Sequence, residues 1–214
     1  MPRFCRPKTD TIEIEKPNIL IVEGRDEELF FDSLIKHLEL DNIQILDIGG
    51  KTIFRDRLNA LITSPRFSEV STLGIVRDAN SNPSAAYQSI CNALQSAKLS
   101  IPERPLIMAG SNPRVVVLIL PKEDEPGMLE DLCLKSVESD PALTCTEQYF
   151  QCLQIQNIPL PHNTSKAKTQ VFLASRHEAG KRLGEAAQAG YWPWDSNAFE
   201  QVKNFLQQII SIDT

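Results

Sequence analysis

The sequence lacks the features that mark several large classes of protein. Its longest apolar run, Val115 to Leu120, is too short to cross a bilayer. The five cysteines are an odd number and include no C-x-x-C pair, so neither a disulfide framework nor a zinc site of paired cysteines is indicated. The three histidines show no H-x-x-x-H spacing. These absences favour a cytoplasmic protein with reduced thiols and without a membrane span.

The chain also lacks a positive balance of charge. It contains 22 Lys and Arg against 28 Asp and Glu, a formal net charge of −6. This balance argues against a protein that coats nucleic acid through global charge. It leaves room for an enzyme that contacts phosphates at one local site, where metal ions supply positive charge. Residues 1–16 have no apolar segment behind their basic residues, so we expect a tail rather than a secretory signal.

The apolar pattern predicts one α/β domain with a helical extension. Strands alternate with amphipathic helices over residues 17–139, an order typical of an open, mainly parallel sheet with helices on both faces. Residues 140–214 are predicted as helices and loops packed on that core. The predicted strands are 18–22, 43–48, 70–76, 105–109 and 114–120, the last two forming an antiparallel edge. The predicted helices are 27–40, 52–63, 83–98, 127–139, 141–156, 165–176 and 197–210.

Two acidic residues stand at the carboxyl ends of predicted strands. Glu23 follows the first strand and Asp78 follows the third. Ligands of open parallel sheets bind at this edge, so we expect the two carboxylates to converge there. Gly24 fits this expectation, because glycine lets the backbone turn sharply or approach a ligand closely. Carboxylate oxygens suit Mg²⁺ or Mn²⁺, which can polarise a phosphodiester.

Other charged residues near the strand ends have two interpretations. Asp26, Glu27 and Glu28 open the first predicted helix, where the macrodipole favours negative charge. That role is sufficient for Glu27 and Glu28, whereas Asp26 stays open between it and the site. Lys51 follows Gly49-Gly50 at the end of the second strand and is a further site candidate. This string is too short for a Walker A phosphate-binding loop.

The strand-end motifs resemble those of the Toprim fold, the catalytic domain shared by topoisomerases, primases and OLD-family nucleases. An apolar strand ending in Glu-Gly is matched by Leu20-Ile21-Val22-Glu23-Gly24. An apolar strand ending in Asp-x-Asp is matched by Gly74-Ile75-Val76-Arg77-Asp78-Ala79-Asn80. More narrowly, VEGRDEELFF and PGMLEDLCL resemble segments of small, stand-alone bacterial Toprim-like proteins of unassigned function. These motifs cover residues from Asn18 to about Val137.

The resemblance implies a Mg²⁺-dependent phosphodiester hydrolase, a nuclease-like enzyme that acts on nucleic acid. It implies that Glu23 is a metal ligand or general acid/base and that Asp78 is a metal ligand. Asn80 replaces the second acid of Asp-x-Asp, so it offers an oxygen without charge. OLD-type nucleases use a further acid from a helix after the core sheet, a placement that Glu130 matches best, with Asp131 beside it. Both acids also suit the ordinary acidic start of a helix.

OLD-like nucleases also place a late lysine near the scissile phosphate, and this resemblance makes Lys166 and Lys168 candidates. Both lie near the start of a predicted helix, where positive charge opposes the macrodipole. The simpler interpretation is a solvated lysine pair. Asn80 keeps an alternative function open, a catalytically degenerate Toprim-like module that binds nucleic acid, a nucleotide or a protein partner without turnover. A homo-oligomer also stays open.

Overall fold

The structure, a computed structural model, describes residues 12–50 and 53–211. Its centre is an open sheet of four parallel strands in the order β2-β1-β3-β4. The apolar runs of β1 and β4 are almost wholly buried, as expected for a parallel sheet covered on both faces. The strands are β1 (Asn18–Val22), β2 (Ile43–Asp47), β3 (Thr72–Asp78) and β4 (Arg114–Leu120).

Helices cover both faces of this sheet, which confirms the predicted fold class. Helices α2 and α3 pack on one face, and α1, α4, α6, α7 and α8 contribute to the core on the other. The helices of the described residues are α1 (Arg25–His37), α2 (Phe54–Ile62), α3 (Pro83–Ser96), α4 (Leu129–Ser136), α5 (Pro141–Ile155), α6 (Thr164–Ala174), α7 (Leu183–Gln188) and α8 (Glu200–Ile210). Short 3₁₀ turns occupy Phe67–Glu69 and Asn197–Phe199.

The C-terminal helices are packed directly on the core sheet. Helix α8 lies against β3 and β4 and buries Val202, Phe205 and Ile209. Gly74 of β3 permits this contact, because a Cβ at that position would lie 2.5 Å from Cδ1 of Ile209. A side chain at position 74 would therefore require the Ile209 and Phe205 side chains of α8 to shift.

The prediction that residues 105–109 form an antiparallel edge strand is wrong. Residues 105–109 meet β4 through one isolated antiparallel bridge, between Ala109 and Val115. Pro105 has no N–H to donate, and Leu106 has a φ of +63°, a left-handed conformation that interrupts an extended strand. Helix α7 was not predicted, because its six residues are too few to display an amphipathic period.

Part of the predicted N-terminal tail packs on the domain. Ile14 is buried in the core between the sheet and α2–α3. The backbone N–H groups of Glu15 and Lys16 donate to Oε1 of Gln44, at 2.7 and 3.2 Å. Residues 1–11 lie outside the described residues. None of the described helices combines the length and apolar character needed to span a bilayer.

Candidate functional site at the carboxyl edge of the sheet

The strand order reverses between β1 and β3. The chain leaves β1 through α1 towards β2 on one side, and leaves β3 through α3 towards β4 on the other. In such sheets, the crevice beyond the carboxyl ends at this point is where ligands bind. Glu23 directly follows β1, and Asp78 is the last residue of β3. The two residues therefore lie at the same edge, on neighbouring strands, as the sequence predicts.

The two carboxylates nevertheless belong to different charged groups. Side chains alternate between the faces of a strand, which places Arg77 and Asp78 on opposite sides of the sheet. On the α2 side, Oε1 of Glu23 lies 2.5 Å from Nε of Arg77. On the opposite side, Oδ1 of Asp78 accepts a hydrogen bond from the backbone N–H of Leu129, the first residue of α4, at 3.0 Å.

Glu23 is the counter-ion of a buried arginine. The Arg77 side chain is 1% exposed, and its guanidinium carbon lies 4.6 Å from the centre of the Phe54 ring. Burial lowers the pKa of Arg77, and the Glu23 carboxylate opposes that shift. Among the described residues, no acceptor meets the guanidinium nitrogens in hydrogen-bonding geometry, so Glu23 compensates the charge as a close ion pair. Sequence reasoning missed this role of Arg77.

Three other carboxylates form what we call the acidic centre: Glu27 of α1, Asp78 of β3 and Glu130 of α4. Burial raises the pKa of Asp78 well above its ordinary value, and the negative charges of Glu27, Glu130 and Glu23 raise it further. The hydrogen bond from Leu129 acts in the opposite direction. Asp78 therefore interacts electrostatically with carboxylates of two helices, Glu27 of α1 and Glu130 of α4, and also accepts a hydrogen bond from the start of α4.

Glu27 belongs to this centre although the sequence analysis assigned it only to a helix start. Burial raises the pKa of Glu27 to about 7; a hydrogen bond to its own backbone opposes the shift, and Glu23 and Glu130 add to it. Gly24 leaves room for this carboxylate, because a Cβ at position 24 would lie 3.2 Å from Oε2 of Glu27. The φ of Gly24 is −167°, extended backbone that any residue adopts. The chain bends at Glu23 and Gly24 without a left-handed conformation, so what the lack of a side chain at Gly24 contributes is space beside Glu27.

Glu130 lies beside Lys166, the only lysine next to the acidic centre within the described residues. Burial raises the pKa of Glu130, and Lys166 acts in the opposite direction. Nζ of Lys166 lies 3.7 Å from Oε1 of Glu130, and the lysine side chain is 61% exposed. The thiol of Cys133, one helical turn beyond Glu130, is fully buried, and its pKa is raised by burial and by Glu130 and Asp78.

Two of the predicted site residues join helices to one another. Oδ2 of Asp131 accepts from the backbone N–H of Met128 at 2.8 Å, and Oδ1 accepts from the Ser165 hydroxyl at 2.6 Å. This carboxylate therefore fixes α6 to the start of α4. Oδ1 of Asp26 accepts from the backbone N–H of Gly184 at 3.2 Å, which joins α1 to α7.

Asn80 and Lys168 also have other partners. Asn80 has a φ of +53°, and its Nδ2 donates to the carbonyl oxygen of Asp78 at 3.2 Å. Its backbone exchanges two hydrogen bonds of 2.7 Å with Gly127. Nζ of Lys168 lies 2.8 Å from both carboxylate oxygens of Glu147, across the contact between α5 and α6. Only Lys166 of the predicted lysine pair therefore lies at the acidic centre.

The acidic centre is an incomplete set of metal ligands. Within residues 12–50 and 53–211, no group of three or more His, Cys, Asp or Glu side chains is placed to hold a metal ion. Lys51, the remaining candidate, lies outside the described residues. Mg²⁺ in enzymes is commonly bound by one or two carboxylates together with waters and substrate phosphates, and the centre offers three carboxylates.

Comparisons with known proteins gave one match. A family model described as a protein of unknown function (DUF3226) matches residues 17–211, from the residue before β1 to the residue after α8. The matched region therefore includes every residue of the acidic centre and the Glu23–Arg77 pair. Searches of the curated proteins and of the solved structures found no match.

Proposed function

The chain belongs to the protein family DUF3226, whose function is unknown, and we propose that it is a Toprim-type phosphodiester hydrolase that uses Mg²⁺ or Mn²⁺ and acts on nucleic acid. The observation that carries this proposal is the acidic centre. Three carboxylates from three elements interact electrostatically at the edge where strand order reverses, and burial raises the pKa of each. Buried carboxylates in this state have either a proton or a cation as their partner.

The donor chemistry of the centre fits a hard divalent ion. Its side-chain donors are all oxygens, and burial together with the negative charges of Glu27 and Glu130 raises the pKa of Asp78. Asp78 and Glu130 would hold the ion, with Glu27 beside them. When bound, the ion supplies Lewis-acid polarisation of a phosphate oxygen.

The residues of the chain supply the remaining functions. Lys166 presents an exposed ammonium group next to Glu130, where it can bind a substrate phosphate. Without the ion, burial raises the pKa of Glu27 to about 7; a cation held by Asp78 and Glu130 would lower it and favour the carboxylate, the form that accepts a proton as a general base. Arg77 keeps Glu23 on the other side of the sheet edge as its counter-ion. Glu23 is thus a supporting residue in this proposal.

Cleavage assays with the purified chain test the proposal. We expect nicking of plasmid DNA or cleavage of labelled oligonucleotides in Mg²⁺ or Mn²⁺, and no cleavage in EDTA. Asp78→Asn keeps the shape of the side chain and should lower the rate about 100-fold or more. Asp32→Asn is the matched control, because Asp32 lies on α1 and pairs with Lys36 away from the centre. Equal cleavage by wild type and Asp78→Asn would reject the proposal.

Metal binding can be measured without turnover. A ligand that binds only the folded state raises the melting temperature in proportion to its affinity. Millimolar Mn²⁺ should therefore raise the melting temperature of wild type and of Asp32→Asn, but not that of Asp78→Asn. An unchanged melting temperature in wild type would count against a metal site at the centre.

The conformation of Asn80 favours a second candidate function, a binding module without turnover. Its side-chain amide nitrogen donates a hydrogen bond to the carbonyl oxygen of Asp78, and the side chain carries no charge. This candidate predicts that labelled oligonucleotides or nucleotides bind equally well with and without EDTA, and that no cleavage follows. Fluorescence anisotropy under both conditions separates the two functions.

We also propose that the protein is cytoplasmic. Cys91, Cys133, Cys145 and Cys152 are free thiols in the described chain. Two of them are exposed, and exposed free thiols persist in reducing compartments. Labelling of the thiols in intact and lysed cells tests this location.

A further inference from the structure

The guanidinium of Arg77 has hydrogen-bond donors that the described residues do not use. Oε1 of Glu23 contacts its Nε at 2.5 Å, whereas Nη1 and Nη2 are buried and have no acceptor within the described chain. Buried polar groups in proteins are nearly always hydrogen-bonded, and an exception needs an explanation such as a bound ion. A guanidinium typically binds carboxylate or phosphate oxygens through such neighbouring nitrogens. Arg77 can therefore bind one more anion besides Glu23.

The start of α2 lies next to this guanidinium and also offers donors. Phe54 is the first residue of α2, and the centre of its ring is 4.6 Å from the guanidinium carbon of Arg77. No described side chain caps this nine-residue helix, and the backbone N–H groups of an uncapped helix start bind anions. Arg55 adds an exposed positive charge in the same turn, and the acid of that turn, Asp56, is also exposed. Donors from a strand and from a helix therefore meet at Phe54.

An open groove of about 430 Å³ begins at the same residues and follows α3. Phe54 and Arg55 line it from α2. Its lining from α3 consists of two alanines and four uncharged polar side chains: Gln88, Ser89, Asn92 and Ser96. Among the described lining residues Arg55 is the only charged one, in a chain whose formal net charge is −6. This volume is sufficient for a small organic ligand, and the lining suits one with an anionic end and a polar body.

We propose that this groove is a binding site for a phosphate monoester such as a nucleoside monophosphate. The phosphate binds at the start of α2, where it contacts Arg55 and the backbone N–H groups of the first turn. It also accepts hydrogen bonds from the two Nη groups of Arg77. Phe54 covers Arg77 in this structure, so this contact requires its ring to turn aside. The polar side chains of α3 contact the rest of the ligand. The site lies on the α2 side of the sheet and does not depend on the proposed cleavage.

Thermal melts in EDTA test the site, because a ligand that binds the folded state raises the melting temperature. Adenosine monophosphate should raise it more than inorganic phosphate at equal ionic strength, since the groove also contacts the nucleoside. Arg55→Ala should need about ten times more adenosine monophosphate for the same rise. Arg57→Ala is the matched control, because Arg57 lies on the same helix outside the groove lining, and it should match wild type. No rise in wild type, or equal rises in all three proteins, would overturn the proposal.

Two further variants test the part of Arg77. Glu23→Gln removes the carboxylate that contacts Arg77, so the phosphate becomes its counter-ion and the rise caused by adenosine monophosphate should exceed that of wild type. Glu23→Gln with Arg77→Met should lose most of this rise. Wild-type rises in both variants would remove Arg77 from the site.

Asp78→Asn separates this site from the acidic centre. It should keep the wild-type rise in EDTA, whether or not the protein cleaves nucleic acid. Loss of the rise in Asp78→Asn would place the ligand at the acidic centre and overturn the proposal. A retained rise in a protein without any cleavage activity would contradict the proposed hydrolase alone.

Discussion

The two sides of the sheet's carboxyl edge carry buried charge in different ways. On the α2 side, one carboxylate is matched by one guanidinium, since Glu23 lies 2.5 Å from the buried Arg77. On the α1 side, the acidic centre of Glu27, Asp78 and Glu130 has one partly exposed lysine beside it. The pKa of every member of the acidic centre is raised by burial. The charges on the first side are paired one to one, and those of the acidic centre are not.

This difference separates a structural ion pair from a candidate active site. A matched ion pair can contribute to the fold without any ligand, whereas a set of unmatched carboxylates takes up protons or a cation. The Glu-Gly motif drew attention to Glu23, which lies on the matched side. The carboxylates without a matching cation are Glu27, Asp78 and Glu130, of which only Glu27 is close to Glu23 in the sequence. We therefore expect substitutions on the two sides to differ in kind: loss of stability on one, loss of metal and proton binding on the other.

The largest expected effect comes from breaking the matched side. Arg77→Met leaves Glu23 without its counter-ion and should lower the free energy of unfolding by about 3–5 kcal/mol. Urea denaturation followed by circular dichroism measures this loss. In Glu23→Gln with Arg77→Met, no charge is left unpaired, so the double variant should be more stable than the sum of the single changes predicts.

An exposed ion pair provides the control for that experiment. Arg66 pairs with Glu69 at 2.8 Å, and both side chains are more than half exposed. Solvent screens this pair, so Arg66→Met should lower the free energy of unfolding much less than Arg77→Met does. If Arg77→Met costs no more than Arg66→Met, the Glu23–Arg77 pair does not have the structural role assigned to it.

The pH dependence of stability tests the acidic centre, on the other side of the sheet edge. The pKa of Glu27 rises from an ordinary value of 4.5 to about 7 in the folded protein. The folded state therefore holds a proton that the unfolded state has released, and stability in EDTA should fall as pH rises from about 4.5 to 7. The expected loss is on the order of 3 kcal/mol. Asp78 and Glu130 shift in the same direction and add to the slope.

Glu27→Gln should remove much of this slope. Glu28→Gln is the matched control, because Glu28 is the next residue of α1 and pairs with Arg25 at 2.7 Å. Urea denaturation at a series of pH values measures the slope in each variant. A wild-type slope retained in Glu27→Gln would show that the charge of Glu27 is already matched.

The architecture was predictable because it depends on patterns that are local in the sequence. The runs NILIV and VVVLIL are apolar on both faces of the strand, which indicates a buried parallel sheet. Intervening helices of period 3.6 then require crossover connections between parallel strands. The end of β1 was predicted correctly at Val22, whereas β3 was predicted to end at Val76 and ends at Asp78. Both predictions still place Glu23 and Asp78 at one edge of the sheet.

The partners of each charged side chain were not predictable in the same way. Arg77 meets Glu23 from another strand, at a separation of more than fifty residues, and nothing local to either residue indicates the pair. Glu27 looks like any acid in the first turn of a helix. Only the position of α4 against α1 and β3 turns it into a member of the acidic centre. These contacts depend on packing between elements, which no single segment encodes.

The two lysines of α6 show that a shift of two residues along a helix determines which carboxylate a lysine pairs with. Residues two apart on a helix are about 200° apart around its axis. Lys166 consequently faces Glu130 of the acidic centre, whereas Lys168 faces Glu147 of α5. The sequence presented them as equivalent candidates, and the register of α6 against α4 and α5 separates them.

Replacing each lysine by methionine should give the smallest change in stability and the clearest contrast in function. Both ion pairs are partly exposed, so Lys166→Met and Lys168→Met should each change the free energy of unfolding by less than about 1 kcal/mol. Lys166 lowers the pKa of Glu27, so Lys166→Met should move the pH-dependent loss of stability to higher pH and should slow nucleic-acid cleavage. Lys168→Met should leave both properties unchanged. Because the pH shift is measurable without substrate, equal behaviour of the two variants would place Lys166 outside the centre even where no cleavage is detected.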